Sequence, residues 1–206
     1  LPVKVEKLEE CLSLANRRRA EDLSICLSTP GLPLQYSNVL QAENLLVESG
    51  STLVKNSINH LDGIFDGIYD PCILLDFGKV ITAYIELDFE GVEGGYVDIG
   101  YAERLVDGFF NNDIECNYAD RVGMKKGRQF FRSFAWRGFR YVRLRFGYCF
   151  ENVKLYSVKA RITTYPFEEK GSFISSDPTL NKVFEICRYN IKLCSNEYLK
   201  IGRAHV

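Results

Sequence analysis

Histidine is almost missing from this sequence: His60 and His205 are the two among 206 residues. A histidine-based catalytic or metal site has almost no material to draw on. Net charge is missing too. Lys and Arg number 26 against 27 Asp and Glu, a formal charge of −1, which gives no electrostatic case for a nucleic-acid partner or an anionic membrane. No run of about 18 apolar residues is present, so no helix is predicted to span a bilayer. Leu1-Pro2-Val3-Lys4 does not open a signal peptide. The seven cysteines (11, 26, 72, 116, 149, 187 and 194) are odd in number and lack C-x-x-C spacing, against both a disulfide framework and structural zinc. They read as free, mostly buried thiols in a reducing compartment, so the predicted location is cytoplasmic. The single methionine is Met124, and the chain reads as an excised piece of something longer. Aromatics are plentiful, with 14 Phe and 12 Tyr beside 1 Trp. They favour β structure and large packed faces. A hydrophobic share of 46% excludes a disordered chain.

Residues 1–60 are weakly patterned. Val5, Leu8 and Leu12 have helical spacing, and Pro30-Gly31-Leu32-Pro33 reads as a turn. Arg17-Arg18-Arg19 runs directly into acidic residues, which predicts a solvated surface. Further on the pattern sharpens. Ile81, Ala83, Ile85, Leu87 and Phe89 alternate with Thr82, Tyr84, Glu86 and Asp88, a strand with one buried face. Asp76-Phe77-Gly78-Lys79 reads as the turn or bulge leading into it. Gly91–Gly95 reads as a tight connection returning into a strand where Val97, Ile99 and Tyr101 share a face. Val142, Leu144 and Phe146 alternate with Tyr141, Arg143 and Arg145, which puts the arginines on the outer face. Val153, Leu155, Val158, Ala160 and Ile162 give one more strand, irregular near Ser157. Strands recurring with glycine breaks and no helical pattern between them predict a mainly β fold, an antiparallel sandwich of jelly-roll type.

At Ser176-Asp177-Pro178 the period changes. Asp177 is a good N-cap and Pro178 a good first helical residue, while Leu180 at the third position rules out a capping box. Leu180, Val183, Phe184, Cys187, Ile191, Cys194 and Tyr198 then form one apolar stripe on a long C-terminal helix. No partner helix for it is visible in the sequence.

Little here carries chemistry. Glycoside hydrolysis needs two carboxylates across a substrate, and Glu86, Asp88, Asp98, Glu103 and Asp107 are candidates. Carboxylates alternating along a strand read first as a solvated face. His60, the one internal base for a cysteine nucleophile, precedes Leu61-Asp62-Gly63, which reads as a turn. Gly91–Gly95 lacks the spacing and following helix of a phosphate loop. Arg132, Arg137, Arg140, Arg143 and Arg145 make a basic strip, read as stems covering the outer sheet and pairing with nearby acids rather than binding nucleic acid. Trp136 and nearby tyrosines, if exposed, are stacking platforms for sugar rings. No catalytic, metal or cofactor residue is assigned, no carbohydrate-binding residue is specified, and the pattern fixes no oligomeric state.

Several segments resemble a known family in their order and spacing. Asp76-Phe77-Gly78-Lys79, Gly100-Tyr101-Ala102-Glu103-Arg104-Leu105, Tyr118-Ala119-Asp120-Arg121 and Trp136-Arg137-Gly138-Phe139-Arg140-Tyr141-Val142 are similar to motifs of bacterial α-L-rhamnosidases, the family 78 glycoside hydrolases. Tyr165-Pro166, Gly171-Ser172-Phe173, Ser176-Asp177-Pro178 and Leu180-Asn181 resemble the join into that family's catalytic domain. The resemblance covers residues ~70–199 and is weak before them. It implies an accessory sandwich followed by the first helix of an (α/α)6 barrel. It also implies that the barrel hydrolyses terminal rhamnosyl linkages with inversion, using acidic residues. The family's general acid should follow Asn196-Glu197-Tyr198-Leu199. The sequence reads Lys200-Ile201-Gly202-Arg203-Ala204-His205-Val206 there, so no acid is carried over, and Glu197 precedes the expected motif. The expected organisation is residues 1–69 as an N-terminal segment, partly strand, that completes the sandwich; 70–170 as the accessory β-sandwich; 171–199 as linker and first barrel helix; and 200–206 as a foreign tail. The implied partner is a rhamnose-containing glycoside or polysaccharide, held by the absent barrel. The competing reading is a free-standing carbohydrate-binding or purely structural sandwich.

Overall fold

The alternation at Ile81–Phe89 is the second half of one strand that runs from Gly67 to Gly91 and organises everything around it. In the computed structural model, residues 1–12, 23, 27–28, 30–33, 39–47, 49–55, 58–60, 67–112, 119–149 and 151–196 are described. The strands in chain order are β1 (Lys4–Leu12), β2 (Leu32–Pro33), β3 (Val39–Leu40), β4 (Thr52–Val54), β5 (Ile58–His60), β6 (Gly67–Gly91) and β7 (Tyr96–Ala102). They continue with β8 (Leu105–Val106), β9 (Phe109–Phe110), β10 (Ala119–Gly123), β11 (Gly127–Arg132), β12 (Arg137–Gly147) and β13 (Val153–Ile162), and are followed by the helix α1 (Pro178–Cys194). Two compact units result, Leu1–Arg161 and Ile162–Val206.

Every pairing whose register is recorded is antiparallel. The first half of β6 lies between β1 and β12, and the order continues outward through β7 to β10. Its second half carries β11, while β13, β4 and β3 extend the other way. One strand with that many neighbours has to pass between layers. The passage is at residues 77–80, which the register sets against Arg140 alone, with Gly78 at φ 84. This is a bulge within a continuous strand, not a lead-in to one, and bulged strands are how sandwiches turn corners. The inner faces meet in one core: Ile73, Leu75, Ile85 and Leu87 of β6, Val97 and Ile99 of β7, Val142 and Leu144 of β12, Val153, Leu155 and Val158 of β13. The sandwich predicted from period-two alternation is the observed fold.

Four local expectations change. Val5 and Leu8 belong to a strand, not a helix. A register shift between Val5 and Lys7 lets residues three apart both pack on the core, which imitates helical spacing. Leu32–Pro33, read as part of a turn, pairs with Glu9 and Glu10 as a short edge strand, a position proline tolerates. Beyond the turn at Glu93-Gly94, β7 pairs with β12 and β10 and makes no hairpin with β6. Ile162, assigned to the buried face of β13, is 60% exposed. Leu155 and Val158, of opposite parity, are both buried, in keeping with an irregularity near Ser157.

In the second unit Asp177 caps α1, its carboxylate accepting from the Thr179 N–H at 2.7 Å, with Pro178 in the first turn. Glu169 pairs with Arg188 and Lys192, and the Phe173 and Phe184 rings meet at 5.1 Å, so residues 169–173 lie along the helix. Along its apolar stripe Leu180, Val183 and Ile191 are exposed, while Phe184 is half-buried against Phe173. No helix among the described residues is long and apolar enough to cross a membrane.

Candidate functional site

The register lines up Glu9 of β1, Cys72 of β6, Arg145 of β12, Asp98 of β7 and Arg121 of β10 in one row across the outer face of the first layer. The signs along that row fit together. Arg121 meets Asp98 with two bonds, at 2.6 and 2.9 Å, and Arg145 reaches the Asp98 carboxylate from the other side. One row along, Arg143 donates to the Leu27 carbonyl (2.6 Å), Glu9 Oε2 (2.7 Å) and Cys11 Sγ (2.9 Å). Arg143 is 1% exposed and Arg145 0%. Both were expected on a solvated face, as was Asp98. The outer face is instead covered, by Leu27 and by Phe110 of the β8–β9 hairpin, whose ring occupies the space over Gly100. Burial works against the charged form of both guanidiniums. The surrounding negative groups, Asp98 first for Arg145, outweigh it and hold both above the usual arginine range.

The remaining strip arginines are surface stems, as predicted, each bound to an acid. Arg132 donates to Glu86 at 2.7 Å, Arg137 stands 3.8 Å from Asp120 and Arg140 holds Asp76; Arg128, outside the strip, grips Asp88 at 3.0 and 2.8 Å. Of the five candidate carboxylates, Glu86, Asp88 and Asp98 are each neutralised by arginine. Glu103 and Asp107 are exposed, Asp107 in the left-handed turn of the β8–β9 hairpin (φ 51). The structure brings none of them together as a facing pair. It opens a cleft of about 180 Å³ where Val92 and Glu93, of the Gly91–Gly95 connection, are joined by Lys126 and Glu151. Trp136 is half-buried, not exposed, and its tyrosine neighbour on β12, Tyr141, is buried. Phe130 and Phe134, close to it in sequence, are exposed, the latter 98% accessible. The backbone of His60 lies in β5 opposite Gly67. Arg17–Arg19, Cys26, Leu61–Gly63, Cys116, Tyr118, Glu197, Tyr198, His205 and the segment 200–206 lie outside the described residues. No group of three or more metal-ligating side chains occurs among the described ones.

The motif residues turn out to bind one another. Asp76 takes two bonds from Arg140, at 2.9 and 2.8 Å, and one from the Gly78 N–H at 2.6 Å, pinning the bulge of β6 to β12. Tyr101 donates its hydroxyl to Asp120 at 2.7 Å, and burial with that carboxylate lifts its phenol well above the ordinary range. Their role is to hold strands together.

Asp76 gives this lattice an acid sensitivity. The Arg140 bonds, against the cost of burial, hold its carboxyl below the usual range. A carboxylate depressed in the folded state contributes stability above its unfolded pKa of about 3.9, and that contribution is lost as pH falls through the folded value. The urea midpoint of the chain should therefore fall between about pH 5 and pH 3. In Asp76→Asn that segment of the profile should flatten. An unchanged slope in the variant would show that Asp76 carries none of it.

The sandwich has one face sealed by paired charges, and its candidate carboxylates form no opposed pair. Residues 68–162 match the model of the bacterial alpha-L-rhamnosidase concanavalin-like domain. The chain superposes on the family 78 rhamnosidase of Bacillus sp. GL1 with a TM-score of 0.62 at 28% identity, over 76% of this chain and 16% of that one. It matches the rhamnosidase of Klebsiella oxytoca, solved with rhamnose bound, with a TM-score of 0.58 at 11% identity, over 98% of this chain and 36% of that one; this second likeness is one of fold. The chain thus spans a minor part of either protein's length. No curated protein matches it in sequence.

Proposed function

We propose that this chain is the accessory, non-catalytic part of a glycosidase that removes terminal α-L-rhamnosyl groups with inversion, and that the chemistry belongs to a helical barrel of which α1 is the first helix. The match of residues 68–162 to the rhamnosidase domain carries this reading. The neutralised strand carboxylates and the exposed residues of the α1 stripe support it. On the same reading residues 1–69 complete the sandwich, with β1 paired along β6, and the substrate of the whole enzyme is a rhamnose-containing glycoside or polysaccharide. Unbridged thiols at Cys11, Cys72 and Cys149 favour a reducing compartment, the cytoplasm. The purified chain should show no turnover of an aryl α-L-rhamnoside above the uncatalysed rate and no saturable heat on titration with rhamnose. Turnover would overturn the non-catalytic assignment. Saturable binding without turnover would make the sandwich a carbohydrate-binding module instead.

A further inference from the structure

Cys11 and Cys72 lie on the covered face of the first layer, in adjacent rows. Cys11 stands opposite Asp70 and Cys72 opposite Glu9, so the two side chains share a face as diagonal neighbours on β1 and β6. Both are buried, at 4% and 1% exposure, and neither is bridged. Their surroundings differ. Arg143 Nη2 donates to Cys11 Sγ at 2.9 Å, while the Cys72 thiol donates to the Asp70 carbonyl at 3.7 Å. A guanidinium held against one sulfur of a pair favours the thiolate at that sulfur over its neighbour.

From this geometry we infer that Cys11 and Cys72 form a peroxide-oxidisable pair, with Cys11 attacking and Cys72 resolving, that closes to a reversible disulfide between β1 and β6. The acidities agree. The neighbouring Cys72 sulfur and then Arg143 bring the Cys11 thiol below its ordinary range against the effect of burial, whereas burial pushes Cys72 well above. In the first step the Cys11 thiolate attacks one peroxide oxygen and the O–O bond breaks. Hydroxide leaves, takes a proton to become water, and Cys11 is left as the sulfenic acid. In the second step the Cys72 sulfur attacks the Cys11 sulfur. The S–O bond breaks, and the departing hydroxide takes the Cys72 proton to form a second water. Two thiols are oxidised by two electrons, and one hydrogen peroxide is reduced to two waters. Diagonal neighbours stand roughly 7–8 Å apart at the backbone, at or just past the limit for a disulfide, so closing the bridge draws β1 and β6 together locally. The bridge is therefore strained, and thiol reductants open it readily.

Cys149 is the internal control. It is 0% exposed, no arginine contacts its sulfur, and burial pushes its thiol up to about 12. The test exposes the full chain, carrying Cys187→Ser and Cys194→Ser to remove the exposed thiols of α1, to hydrogen peroxide without denaturant. Peptide mass mapping then follows each sulfur. A Cys11–Cys72 linked peptide should accumulate at least about tenfold faster than any oxidised form of Cys149, and dithiothreitol should reverse it. In Cys72→Ser the link should vanish and a dimedone-trapped sulfenic acid should appear at Cys11. Oxidation of Cys11 no faster than Cys149 would overturn the activation. A Cys11 sulfenic acid that persists unlinked in the chain retaining Cys72 would overturn the pairing.

Discussion

Asp98→Ala should cost the first unit about 3–5 kcal/mol, the penalty for leaving buried charge unpaired. One carboxylate with no exposure answers two guanidiniums, Arg145 at 1% and Arg121 at 22% side-chain exposure. Removing it strands both cations, and Arg145 has no route to water. For a unit of this size the loss corresponds to a fall in melting temperature of roughly 10 °C. The reciprocal change is milder. Arg145→Met takes out one charge and keeps much of the volume, while Asp98 retains both bonds from Arg121. Its cost should be less than half that of Asp98→Ala. The exposed pair sets the lower bound: Asp88→Ala breaks a bidentate contact with Arg128 of equally good geometry, yet should cost no more than about 1 kcal/mol, because water solvates the partner left behind. Urea midpoints of the three variants measure this. Equal losses for Asp98→Ala and Asp88→Ala would show that the buried row carries no more stability than a surface pair.

That row also marks where reading the sequence fell short. The alternation of Val142, Leu144 and Phe146 identified the core face correctly, because period two reports which residues point together. It says nothing of what covers the opposite face. Arg143 and Arg145 were placed in solvent because isolated arginines are rarely fully buried. Their partners, Glu9, Leu27 and Asp98, lie 134, 116 and 47 positions away. Local pattern cannot reveal pairings of that range. β1 was missed for a different reason, since a single bulge between Val5 and Lys7 converts an alternating strand into one with three-residue spacing. The motif segments were legible as a family resemblance, but not as structural ties. Asp76 with Arg140 and Tyr101 with Asp120 acquire a role only when β6, β7, β10 and β12 lie side by side. Lys126 and Glu151 line the cleft beside Val92 and Glu93 from separate connections and carry no local signal of their own.

Gly147→Ala should destabilise the first unit by about 3 kcal/mol, a large effect for one methyl group and the upper end of ordinary overpacking. Gly147 ends β12 directly opposite Tyr96 of β7, and the Tyr96 ring lies over the glycine in the space a side chain would take. A Cβ placed there falls inside the ring. Backbone conformation is not the obstacle, since Gly147 is not among the residues of positive φ. The ring itself has no room to retreat. The Arg121 guanidinium stacks on it 4.0 Å from its centre, the Tyr148 ring packs at 6.1 Å, and Tyr96 is buried enough to push its phenol up to about 12. Moving the ring would also drag Arg121 from Asp98, so the methyl group disturbs the charge row as well as the packing. The two causes separate in a double-mutant cycle. With Tyr96→Ala already in place the space is empty, and adding Gly147→Ala should then cost less than about 0.5 kcal/mol. Full additivity of the two changes would mean that the glycine is required for some reason other than the ring lying across it.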